Sequence, residues 1–115
     1  MKYNFKKHDW DGTMVFGIES EQSTINNIGS WDWTSEKVQK IINGIEDSKT
    51  KPKGEEYTWG NEDVNLYSNK NGVLLIDVLA QRGKQYDPDI ITLKLTHEEI
   101  LTFLNDFKKF VEENS

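Results

Sequence analysis

Between Glu55 and Ala80 the chain reads EEYTWGNEDVNLYSNKNGVLLIDVLA, a series of strand-like segments separated only by short turns. Parallel neighbours need a crossover of a dozen or more residues, so strands spaced this closely must pair antiparallel. Tyr57 and Trp59 share one face of the first segment, and Val64 and Leu66 share one face of the second. Gly60-Asn61 is a weak turn signal between them. Asn71-Gly72 is a stronger one, because both residues tolerate the positive φ of tight hairpin turns. The strand over 73–80 opens with Val73-Leu74-Leu75-Ile76, apolar on both faces, which suits a central position in a sheet. Leu74, Ile76 and Val78 are expected to face the helices, with Val73 and Leu75 either needing other cover or sitting on a lightly covered back face.

The remaining segments fit around this meander. Residues 2–7 and 13–19 alternate, with Tyr3 and Phe5 on one face and Met14, Phe16 and Ile18 on another, and Asp11-Gly12 supplies a tight turn. A short strand is expected over 24–28. Val38, Ile41, Ile42 and Ile45 recur at i, i+3, i+4 and i+7, the apolar stripe of a helix over about 35–46 with Thr34 as its N-cap. Residues 47–54 form a basic loop and 81–89 another. The segment 90–95 reads as the last strand, with Ile91, Leu93 and Leu95 inward. Thr96 and Glu99 match a capping box for a closing helix over about 97–112, rich in Phe and Leu. The expected fold is therefore α+β, with one antiparallel sheet of about five to seven strands and both helices on one face. A chain of 115 residues is expected to form a single domain, 1–115.

Charge and composition narrow the function. Fourteen basic against 20 acidic residues leave a formal charge of −6 and a pI near 4.9. Such a surface repels phosphate backbones and anionic lipid, and attracts basic proteins. No cysteine is present, which excludes disulfides, thiolate nucleophiles and cysteine-ligated metal. No apolar segment resembles a signal peptide or approaches a membrane span, and a cytoplasmic location is expected.

No catalytic constellation emerges. Asp9-Trp10-Asp11-Gly12 resembles the start of a calcium loop, but Ser20 stands where the closing Glu belongs. His8 and His97 have no nucleophile elbow to serve, and adjacent acids such as Glu55-Glu56 point to opposite sides of a strand. No enzyme activity, cofactor or metal is expected. Aromatic residues flanked by acids instead describe anchors for a basic protein partner. Glu55, Glu56, Tyr57, Trp59, Glu62 and Asp63 form the first candidate contact patch, although Tyr57 and Trp59 could equally lie under a helix. Asp9, Trp10 and Asp11 form the second. Trp31 and Trp33 are expected to plug an end of the core.

The small acidic cysteine-free chain, its layout and the ending ITLKLTHEEILTFLNDFKKFVEE resemble the immunity proteins of bacterial polymorphic-toxin and contact-dependent growth inhibition systems. The resemblance implies an antitoxin that binds and neutralises a cognate toxin domain, commonly a nuclease, by stoichiometric protein–protein binding. A generic intracellular interaction module is the alternative, and a small hydrolase or ligand-binding domain the third reading.

Overall fold

The computed structural model describes residues 1–114, which form two antiparallel sheets and five helices of an α+β fold. Strands β1 (Tyr3–Trp10) and β2 (Thr13–Ser20) form a hairpin in register from Tyr3↔Ser20 to Trp10↔Thr13. Asp11 at φ 54° and Gly12 at φ 87° make its two-residue turn, and the Asp9 carboxylate accepts the Gly12 N–H at 2.7 Å. Positive φ at both positions matches the twist of the flanking strands, which is why an Asp-Gly pair closes this hairpin. Tyr3, Phe5, Phe16 and Ile18 occupy the inward face, while every residue from Lys6 to Met14 is exposed. The outer half of the hairpin is thus an arm projecting from the body.

The expected strand at 24–28 is instead a helix, α1 (Ser23–Ile28). Ile25 and Ile28 are three residues apart, so a strand would turn them to opposite faces, whereas one helical turn buries both. The Asn26 side chain fastens the turn to Ser20, accepting from its N–H at 2.6 Å and donating to its C=O at 3.1 Å. Helix α2 (Ser35–Ser48) follows, with Thr34 Oγ1 accepting the Lys37 N–H at 3.2 Å and Val38, Ile41, Ile42 and Ile45 buried.

The second sheet has strand order β3-β4-β5-β6, with β3 at Tyr57–Gly60, β4 at Val64–Asn69, β5 at Gly72–Asp77 and β6 at Thr92–Leu95. Two sheets of two and four strands thus replace the single larger sheet. Asn69 pairs with Gly72, so the turn sits on Lys70-Asn71, one residue earlier than expected, and Gly72 takes the positive φ of 125°. The inward set also differs from expectation. Leu66 pairs with Leu75 and Ser68 with Val73, which puts Val73 and Leu75 in the core and Leu74 and Ile76 on the back face. A two-residue turn pairs even positions of β4 with odd positions of β5, so the Val64 and Leu66 face can only take the odd residues.

Strand β5 stops at Asp77, short of the expected Ala80. Its carboxylate caps α3 (Val78–Arg82), accepting from Ala80 N–H at 2.9 Å, and also accepts from Asn27 Nδ2 at 3.0 Å and Ser23 Oγ at 3.3 Å. These donors satisfy a carboxylate that is otherwise buried. Residues 90–91, expected to begin the last strand, instead end a short helix, α4 (Pro88–Ile91), which starts in the expected 81–89 loop with Pro88 in its first turn and Asp87 as cap. The closing helix α5 (His97–Glu113) starts with both halves of the capping box formed between Thr96 and Glu99.

Helices α2 and α5 pack together on the inner face of the four-stranded sheet, and the hairpin packs on α5. Phe103 and Phe107 are fully buried there, against Phe5 at 5.9 and 5.3 Å between ring centres. Helix α2 comes so close to β3 that a Cβ on Gly44 would sit 2.3 Å from the Tyr57 ring. Gly44→Ala is therefore expected to lower stability by about 1–3 kcal/mol through overpacking, despite a helix-propensity gain of about 1 kcal/mol. Chemical denaturation of Gly44→Ala in wild-type and Tyr57→Ala backgrounds checks this, since truncating the ring should remove the penalty.

The Tyr3 hydroxyl donates to the Asp106 carboxylate, joining the hairpin to α5. Burial first, and then the hydrogen bond and charge of Asp106, push the Tyr3 phenol up to about 12. Above its ordinary value of about 10 the unfolded chain loses this proton while the folded chain keeps it. The associated stability is whole below that lower value and is lost as pH rises through about 12. Tyr3→Phe is expected to lose stability less steeply than wild type across this window, read by denaturant midpoints at a series of alkaline pH values.

Candidate functional site

The first candidate patch is built on β3, an edge strand, but its two aromatic residues face inward. Tyr57 lies across Gly44, and burial raises its phenol above the ordinary value. Trp59 belongs to a cluster with Trp31 and Trp33, ring centres 5.6 Å away in both cases, and Trp33 meets Phe107 at 5.3 Å. Trp33 is 5% exposed and donates its Nε1–H to Ile28 C=O at 2.9 Å, so it does plug the core. Trp31 is the outer member at 40% exposure, with Lys37 Nζ 4.7 Å above its ring. Lys37 also binds Asp32 at 2.8 Å, and this hydrogen-bonded ammonium holds the Asp32 carboxyl below its ordinary value. The Trp59 Nε1–H is buried without a hydrogen-bond partner among the described residues.

The acids of this patch are divided between the ends of β3. Glu55 is exposed and Glu56 accepts the Gly54 N–H at 2.6 Å, both before the strand. Glu62 is exposed in the β3–β4 turn, and Asp63 is paired with Arg82 at 2.6 Å. Four residues of strand separate the two pairs by roughly 13 Å. Arg82 neutralises Asp63 from 19 positions away, a contact for which the sequence spacing carries no signal. Glu55, Glu56, Glu62 and Asp63 are therefore not one continuous acidic surface.

The second candidate is presented differently. Trp10 is 72% exposed beside the arm's turn, next to Asp9 and Asp11, both exposed. Along α5 the hairpin runs from Tyr3 beside Phe103 to Phe16 beside Phe110, so its tip points past the C-terminal end of that helix. The tryptophan cluster meets α5 at Phe107, towards the same end, and Asn61 Nδ2 donates to Asn27 C=O at 3.1 Å, tying the β3–β4 turn there too. The arm tip, Trp31, Asp32 and Glu62 are thus directed to one end of the molecule, and Glu55 and Glu56 to the other.

Nothing assembles around the histidines. His8 is exposed on the arm, and His97 Nε2 contacts the Asn69 C=O at 2.7 Å beside the start of α5. Among the described residues, no group of three or more His, Cys, Asp or Glu is placed to hold a metal ion. No helix among them is long and apolar enough to cross a membrane. No family model, curated protein or solved structure matches this chain.

Proposed function

We propose that the protein is an immunity protein that neutralises a basic toxin domain by stoichiometric binding, with the tip of the hairpin arm as its leading contact. The observation that carries this reading is the 72% exposure of Trp10 between two carboxylates on a projecting two-stranded arm. A large amphipathic ring held out in water with few torsions to freeze is a favourable interface anchor. Asp9 and Asp11 beside it, on a chain of net charge −6, steer it towards a basic surface. Trp31, Asp32 and Glu62 widen the surface at the same end, while Glu55, Glu56, the largely inward Tyr57 and Trp59, and Asp63, which Arg82 already pairs, contribute less. A nuclease domain suits the charge, since proteins that hold phosphate backbones are commonly basic. Protection at low copy number requires a dissociation constant on the order of nanomolar or lower.

The test is co-expression with the C-terminal domain of the protein encoded immediately upstream. The reading expects growth to be rescued by wild type and a one-to-one complex to be recovered. A toxic upstream domain that kills despite the protein, or the absence of such a domain, would replace it with an interaction module for another partner.

A further inference from the structure

The back face of the four-stranded sheet has no helix lining it among the described residues, and α2 and α5 both pack on the inner face. It forms a shallow groove of about 590 Å³ with Tyr67, Leu74 and Ile76 among its apolar walls and Lys53 and Lys94 beside them. Among the described residues Glu56 is the single carboxylate lining it, and the Gly54 N–H engages that group. Lys70 N–H donates to Lys51 C=O at 2.8 Å, fastening the basic 49–53 loop to the β4–β5 turn at the groove's edge. A chain of net charge −6 therefore carries a locally basic, apolar depression.

Its occupant must supply apolar bulk together with negative charge. A basic partner of the kind that suits the arm fits this groove poorly, since lysine would meet lysine. The chain itself carries a matching element, the exposed Asp9-Trp10-Asp11 tip. That tip cannot reach the groove of its own molecule, because the hairpin is packed on α5, on the other side of the sheet.

We infer that the groove receives the arm tip of a second copy of this chain, with Trp10 over Tyr67, Leu74 and Ile76 and the tip carboxylates facing Lys53 and Lys94. Two copies can exchange arms reciprocally, and the closed pair hides both tips. Self-association then competes with any partner that uses the arm. The inference stands without the immunity reading, because it concerns the isolated chain alone.

Sedimentation velocity across a concentration series tests it, with Trp10→Ala and Lys94→Glu, both at exposed positions. Wild type is expected to rise with concentration from 13.4 kDa to twice that mass, and to fall back at high salt. Each variant alone is expected to associate at least about 30-fold more weakly, the loss typical of a tryptophan or charged anchor. A mixture of the two is expected to recover a one-to-one pair through one arm, since Lys94→Glu retains the arm and Trp10→Ala retains the groove. Circular dichroism confirms that each variant is folded. A wild type monomeric at every concentration overturns the inference and leaves the groove to some other anionic partner. Association that survives either substitution, or a mixture that fails to pair, overturns it as well.

Discussion

Phe107→Ala is expected to destabilise the protein by about 3–5 kcal/mol, the range for deleting a buried phenylalanine ring. Phe107 is fully buried and joins three parts of the fold. Its ring meets Phe5 of the hairpin at 5.3 Å, Trp33 of the tryptophan cluster at 5.3 Å and Phe103 of its own helix at 6.2 Å. The neighbours come from separate elements and cannot all close on one void, so the cavity term adds to the lost transfer energy. A domain of this size has about 5–15 kcal/mol of stability in total, so the variant is left marginal. Urea unfolding should show a lower midpoint with an unchanged slope. A loss below about 1.5 kcal/mol would mean that the hairpin collapses freely onto α5, and that the arm is not rooted as described.

The second large effect is expected in binding rather than stability. Trp10→Ala should weaken the proposed complex with a toxin domain by about 2 kcal/mol or more, roughly 30-fold, mainly through faster dissociation. Asp9→Asn with Asp11→Asn should instead slow association at low salt, and lose that effect as salt is added. Asparagine keeps an acceptor for the Gly12 N–H and tolerates the positive φ of residue 11, so the turn should persist. The folded stability of these exposed positions should move by no more than about 0.5 kcal/mol. Charge reversal of Glu55 and Glu56, directed to the opposite end of the molecule, serves as the control and should leave binding little changed.

The parts of this fold legible in the sequence are those fixed by local chemistry. Asp11-Gly12, the Thr34 cap, the stripe from Val38 to Ile45 and the Thr96/Glu99 box each state their structure within a few residues. The helix at 23–28 was hidden because six polar and apolar residues fit either period, and only the odd spacing of Ile25 and Ile28 decides it. The inward face of β5 was readable from the parity of a two-residue turn, but the uniform run Val73-Leu74-Leu75-Ile76 masks it. The end of β5 at Asp77 depends on donors from Ser23 and Asn27, some 50 residues away, which no local pattern announces.

The candidate surface was legible to a similar depth. Aromatic residues flanked by acids were visible at both 9–11 and 55–63, but the exposure that separates them is tertiary. Trp59 meets Trp31 and Trp33 across the fold, whereas Trp10 extends beyond the last ring that could cover it. The division of the β3 acids arises from strand length and from Arg82, neither of which adjacency in sequence conveys.

The most direct test of the proposed function is a titration of the C-terminal domain encoded immediately upstream, the proposed toxin, with wild type and with Trp10→Ala, each at low and at high salt. The account predicts a tight one-to-one complex that weakens with salt, and a loss of about 30-fold or more in the variant at both salt concentrations. A complex of equal affinity with and without the Trp10 ring would contradict the arm as the leading contact, and no complex at all would contradict the antitoxin reading.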